Sequence, residues 1–159
     1  MADTFRARVA DFAKRAGEAA ETVFREATRD VVKEMQRSGN PGPSATRGHI
    51  LSADCGGGFD PAFLRASLLA STSAMPQINA AAWPVEGRAY SGNDAKIEAA
   101  IAAADMKGTL YFGYTAAYAA EAEYGTHATP ANRFVALAAQ NWQAIVGRKA
   151  AEVKSRFGL

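Results

Sequence analysis

One apolar stripe near the start of the chain constrains everything that follows. Phe5, Val9, Phe12, Ala16, Ala19, Val23, Ala27, Val31 and Met35 recur at steps of three or four, the spacing of a single helix face. This predicts one helix over residues 3–37, about ten turns long. Charges of opposite sign stand at helical spacing on its other faces, as in Asp11 with Arg15, Glu21 with Arg25, and Glu26 with Arg29, each pair worth a few tenths of a kcal/mol. Asp3 suits the N-cap, and Gly39 followed by Pro41 suits the end. A helix this long exceeds what a small core covers. Two outcomes stay open: part of the stripe meets another chain, or the helix folds back along its own domain.

The chain has 159 residues, enough for one domain with a real core and too few for two domains and a linker. A single compact unit with one projecting element is expected. Eighteen basic and 16 acidic residues give a net charge of +2, with 48% hydrophobic residues, which excludes full-length disorder and a polyanion binder identified by charge alone. One cysteine makes neither an internal disulfide nor a cysteine-rich zinc site. Arg6, Arg8, Asp11, Lys14 and Arg15 interrupt the apolar run that a secretion signal needs. No stretch reaches the roughly 20 apolar residues of a membrane span. Alanine is abundant; it favours helix but packs shallowly.

Residues 38–58 hold Gly39, Asn40, Pro41, Gly42, Pro43, Gly48 and Gly56 to Gly58 and read as an irregular loop that orders on assembly. The expected organisation is therefore a helix over 1–37, a glycine- and proline-rich loop over 38–58, and an α+β body over 59–159. In that body Asp60 and Pro61 open a short helix through Phe63, Leu64 and Leu68. Leu69 to Ile78 reads as a strand, and Trp83, Pro84 and Gly87 as a turn-rich connection. Asp94 to Met106 reads as a helix capped by Asn93, with Ile97, Ala100, Ile101 and Ala104 on one face and Gly108 at its end. Thr109 to Thr115 alternates as a strand, with Leu110, Phe112 and Tyr114 on one face. Ala116 to Tyr124 returns to helical spacing and Gly125 closes it. A final helix from about Pro130 is expected to bury Phe134, Leu137, Ala138, Trp142, Ile145, Val146 and Val153, with Gly147 either bending it or permitting close packing. The fold class is α+β: a small antiparallel sheet packed with helices, between a long N-terminal helix and a C-terminal one.

Reactive constellations are weak. Cys55 with His49 or His127 lacks a third orienting group in any known catalytic signature. Cys55 to Gly58 lacks the lysine and Ser/Thr of a phosphate loop. His127 with Glu121 and Glu123 has no known ligand spacing, and the two glutamates leave their helix on different sides. Tyr111, Phe112, Tyr114, Tyr118 and Tyr124 form the densest aromatic group, beside Ala, Glu and Gly rather than Lys and Arg. Core packing, with a ring or two left for a protein interface, accounts for them better than base stacking. Arg148, Lys149, Lys154 and Arg156 against Glu152 read as a solvated helix face that complements the helix dipole.

Two segments resemble a known family. Phe59 to Leu68 contains Leu64, Arg65, Ser67 and Leu68 in a Leu-Arg-x-Ser-Leu pattern behind an aspartate-led turn. Tyr111 to Thr126 contains Tyr118, Ala119, Glu123, Tyr124, Gly125 and Thr126 in a Tyr-Ala-x-x-x-Glu-Tyr-Gly-Thr pattern, continued by Pro130 and Phe134. Together they resemble the tail-completion, or head-to-tail joining (neck), proteins of long-tailed bacteriophages. The resemblance spans roughly residues 59–157. It departs from the family at one turn, where the common Val-Asp-Thr-Gly is replaced by Phe59-Asp60-Pro61-Ala62.

The resemblance implies a structural virion protein with an α+β fold, without catalysis, metal or cofactor. Such a protein sits at the joint between the DNA-filled head and the tail and is assembled in the host cytoplasm. It further implies a homo-oligomeric ring, of six copies on the tail's symmetry. The ring contacts neck and tail neighbours (stopper or connector, tail terminator, tail tube), with DNA passing through its lumen unread and no membrane involved. A tail terminator or other minor tail component is the nearest alternative. A nucleic-acid-binding module built on the tyrosine strand and the basic C-terminus is the alternative from another class, and an enzyme around Cys55 a third. Within the motif, Gly125 is expected to end its helix in a left-handed conformation, and Glu123 and Arg65 to be polar partners.

Overall fold

The computed structural model describes residues 2–37, 60–127 and 131–159; Pro130 and the 38–58 loop, with His49, Cys55 and its glycines, lie outside them. The elements run α1 (Ala2–Met35), α2 (Pro61–Ala66), β1 (Leu68–Ser71), α3 (Asp94–Ala103), β2 (Tyr111–Tyr114), α4 (Ala119–Tyr124), α5 (Phe134–Gln140) and α6 (Trp142–Phe157). The class is α+β as expected, with β1 and β2 antiparallel and Leu68 opposite Tyr114.

Helix α1 forms over nearly the whole predicted span, but its two halves differ. Val32 and Met35 enter the main core with Leu64, Leu68, Ile97, Ile101, Tyr114, Tyr118 and Phe134. Each large aliphatic or aromatic side chain fully buried there contributes about 1.5–3 kcal/mol. Helix α6 lies antiparallel along the same half: Arg156 pairs with Glu26 at 2.7 Å and Arg148 with Asp30 at 3.2 Å. At its end the Phe157 carbonyl accepts from Arg15 at 3.4 Å. Beyond Arg15 the cover stops, and Phe5, Val9 and Phe12 are 72%, 50% and 55% exposed. The stripe therefore folds back along its own domain in one half and stands bare in the other. The half that carries Val32 and Met35 packs into the core of the body.

Several boundaries differ from expectation for local reasons. Helix α1 starts at Ala2, which puts Asp3 inside its first turn, and ends at Met35, short of Gly39. Asp11–Arg15 and Glu21–Arg25 form at 3.1 and 3.3 Å, but Glu26 turns to α6, and Arg29 takes Glu98 of α3 at 2.7 Å. Strand β1 stops at Ser71 because the Ser71 hydroxyl accepts from the backbone N–H groups of Ser73 and Ala74, each at 3.2 Å, a turn that competes with the ladder. The chain then passes so close over Gly113 that a Cβ there would lie 2.9 Å from the Pro76 carbonyl oxygen. With four residues in β1 to pair with, β2 is four residues long rather than seven.

Helix α3 ends at Ala103, where Ala104 turns extended and the Asp105 side chain accepts from the Lys107 N–H. Asn93 precedes it without a side-chain cap, giving its amide instead to the carbonyls of Ala66 and Leu68. Helix α4 is shorter than 116–124, beginning at Ala119 after a tight turn that bonds the Ala119 N–H to the Ala116 carbonyl. The single C-terminal helix is two, divided at Asn141, whose N–H is shared at 3.2 Å between the carbonyls of Leu137 and Ala138, a local tightening of the turn. Ile145 and Val153 are buried; Trp142 is exposed. A Cβ on Gly147 would meet nothing within 4 Å, so no close packing requires that glycine.

Candidate functional site

The motif residues converge on one brace between α2, α4 and α5. Asp60 caps α2, its Oδ1 accepting from the N–H groups of Ala62 and Phe63 at 2.8 and 3.1 Å. Its carbonyl accepts from the Tyr118 hydroxyl at 2.6 Å. Tyr118 is buried beside the rings of Phe63 and Trp83, and burial pushes its hydroxyl well above the ordinary phenol range. Leu64 and Leu68 are core residues. The buried Ser67 hydroxyl donates to the Leu64 carbonyl at 2.7 Å, and its own carbonyl accepts the Thr115 N–H and hydroxyl, each at 3.0 Å. The first motif thus ties α2 to the end of β2.

The second motif closes α4 onto α5. Glu123 is only 6% exposed, and its carboxylate accepts from the N–H groups of Val135 and Ala136, each at 2.9 Å. Its carbonyl accepts the Arg133 N–H at 2.9 Å. A carboxylate from another helix thereby satisfies two orphan donors in the first turn of α5. The expected partnership with Arg65 is absent: the two make no ion pair, because both carboxylate oxygens are taken by backbone and Arg65 is exposed.

Gly125 has φ +78° and ψ 176°. The φ is positive as expected, but the ψ is extended rather than left-handed helical, a region open essentially to glycine alone. Phe134 is buried with its ring edge-on to Tyr114, centroids 5.1 Å apart. The Tyr114 hydroxyl donates to the Met35 carbonyl at 3.1 Å, and burial raises its pKa, reinforced by the nearby Glu123 charge. Tyr124, by contrast, is 77% exposed, and Thr126 is on the surface. The motif is thus a scaffold, leaving Arg65 and Tyr124 at the surface.

The other constellations fare differently. Among the described residues no group of three His, Cys, Asp or Glu side chains is placed to hold a metal. Glu121 is exposed whereas Glu123 is buried, so the two do not share a site. Of the four C-terminal basic residues, Arg148, Lys149 and Arg156 are engaged by Glu26, Asp30 and Glu152. The hydrogen bond that Lys149 donates to Glu152, helped by the Asp30 and Glu26 charges, raises the pKa of Lys149. Two features escape a motif-based reading. The acids Glu26 and Asp30 form a four-residue step on the face that meets α6, and Arg29, Lys33 and Arg37 form a basic row of the same period. That period is the signal that finds both.

Among the described residues no helix is long and apolar enough to cross a membrane. Comparison with protein-family models, with curated proteins and with solved structures finds no match for this chain.

Proposed function

We propose that the chain is a structural ring component of the head-to-tail joint of a long-tailed phage or phage-derived particle, acting by assembly around a DNA channel. The observation that carries this reading is the bare half of α1. It offers Phe5, Val9 and Phe12 on one ridge, projecting about 20 Å past the end of α6 at 1.5 Å per residue. Other exposed apolar side chains, Met75, Ile78, Trp83 and Val85, lie in the connection after β1. Exposed apolar side chains on two unlike parts of one chain suit a heterologous contact, which closes into a ring when the rotation allows. The spacing of the motif residues supports the same reading through the resemblance described above. The engaged state of Arg148, Lys149 and Arg156 weighs against the nucleic-acid-binding alternative. Tail completion is favoured over a tail terminator by the motif resemblance alone.

The test has two stages. Native mass spectrometry and negative-stain imaging of the full chain should give a closed ring, with Phe5→Asp plus Phe12→Asp reducing it to a folded monomer. Deleting the gene from the particle should then leave filled heads and finished tails apart. Infectious particles of normal yield without the protein would end the proposal.

A further inference from the structure

The exposed ridge of Phe5, Val9 and Phe12 is bordered by positive charge. Asp11 pairs with Arg15 at 3.1 Å and Lys14 with Glu18 at 3.9 Å, whereas Arg6 and Arg8 are exposed and make no ion pair among the described residues. At about 100° of turn per residue, these two arginines stand on opposite sides of the ridge. A second ridge laid on the first brings more arginines to the same borders and no free carboxylate among the described residues. The ridge is therefore suited to an apolar surface with acidic borders and not to its own kind.

Helix α3 presents such a surface. Apart from Asp94, Lys96 and Glu98 it consists of alanine and isoleucine. Ile97 and Ile101 are buried, but Ala95, Ala99, Ala102 and Ala103 are exposed, and Met106, just past the end of the helix, is 51% exposed. A helix that is apolar on every side is ordinarily covered on every side. On and just beyond α3 the acids Asp94, Glu98 and Asp105 outnumber the one base, Lys96. Asp94 makes no ion pair among the described residues, and Glu98 holds Arg29 in an exposed pair at 2.7 Å, a kind of contact that exchanges at little cost. The connection after β1 leads directly into α3 but carries one acid and one base, Glu86 and Arg88, so the negative charge lies on the helix.

The two surfaces cannot meet within one chain. Helix α3 reaches α1 at Arg29, and Val9 lies about 30 Å from that point along the helix axis.

We propose that the ridge of one copy docks on the outer face of α3 of a second copy. Phe5, Val9 and Phe12 lie over the exposed alanines, and the bordering arginines meet Asp94 and Glu98. Because ridge and seat are far apart on each copy, the contact is head-to-tail and passes from copy to copy. Two helix segments of about ten residues make a small interface by themselves; in a closed ring each copy makes the contact twice, which strengthens it. This contact deepens the ring reading, on which it rests, by naming the surface that the ridge meets.

The test is a mixed cross-link between full-length chains. One carries Val9→Cys and the other Ala99→Cys, both with Cys55→Ala so that the introduced thiols are the only ones. Under mild oxidation the mixture should form the linked pair about tenfold faster than either chain links to itself, as the effective concentration of docked thiols requires. A Val9→Cys chain that links to itself as fast as to its partner overturns the proposal, and so does the lack of a mixed link at about millimolar protein. In chains without added cysteines, Arg6→Glu plus Arg8→Glu should raise the dissociation constant of the assembly about tenfold, and adding Asp94→Lys plus Glu98→Lys should restore it. Ala99→Lys, which places bulk and positive charge on the seat at an exposed position, should weaken assembly by a similar factor and keeps the test readable if the fourfold variant loses its helical circular dichroism. Assembly unchanged by Ala99→Lys overturns the proposal. Native mass separates the two readings: a mixed link in open chains or dimers sinks the ring alone, and a closed ring without the mixed link sinks the α3 seat alone.

Discussion

The two halves of α1 carry one apolar pattern and meet opposite fates. From Arg15 to Met35 the stripe is roofed by α6 and closed off by the main core; from Phe5 to Phe12 the same kind of stripe, with larger side chains, faces water. Periodicity therefore decides that a helix forms, while the length of the covering element decides how much of it is used. Helix α6 has 16 residues against 34 in α1, and the uncovered remainder is the part whose Phe5 and Phe12 have most to gain from a partner. The alanines of the stripe itself, Ala16, Ala19 and Ala27, fall in the covered half, where two helices approach closely and small side chains suffice.

The largest test sets the halves against each other. Met35→Ala removes a core side chain and should cost about 2–5 kcal/mol, whereas Phe12→Ala should change the stability of the isolated chain by less than about 0.5 kcal/mol. Urea unfolding of both variants at low protein concentration checks this, and equal costs would break the contrast. A smaller effect is expected from the cover itself. Glu123→Ala leaves two buried N–H groups of α5 without their acceptor and should cost about 1–3 kcal/mol. Hydrogen exchange should then rise across α5, α6 and the covered half of α1, while the bare half, with no tertiary cover to lose, stays as it was. Uniform acceleration along α1 would mean that the two halves are not independently held. The smallest effect lies at the border. Gly17 has open space around it, so Gly17→Ala should stabilise the helix by about 0.5–1 kcal/mol, read as a higher melting temperature; a lower one would reveal a contact that the covered half needs.

Much of this was legible in the sequence. The α1 stripe, the Asp60 cap followed by Pro61, and the positive φ of Gly125 follow from spacing and backbone sterics, which are local. What escaped was decided at a distance or by small competing bonds. Ser71 ends β1 with its own hydroxyl, and Asn141 divides the last helix by sharing one N–H between two carbonyls; neither residue type is diagnostic alone. Glu123 stands out in the sequence, but its charge points toward an opposite charge such as Arg65, whereas the backbone of α5 satisfies it. The basic row Arg29, Lys33 and Arg37 shares a cleft with Arg65, 28 positions beyond Arg37, a neighbour that no spacing in the sequence announces.

The pairing of α1 with α6 also sets an order of events during synthesis. The contacts that roof the covered half join residues 118 to 142 positions apart, so α1 leaves the ribosome more than a hundred residues before its lid exists. For that interval the whole stripe, and not just its first half, is bare. Such long-range closure is slow and exposes apolar surface on the way. The alternating charges that flank the stripe, Asp11 to Arg15 and Glu21 to Arg25, keep the nascent helix hydrated until the last segment arrives. A nascent chain stalled before Trp142 would hold a naked amphipathic rod, the form most prone to capture by a chaperone.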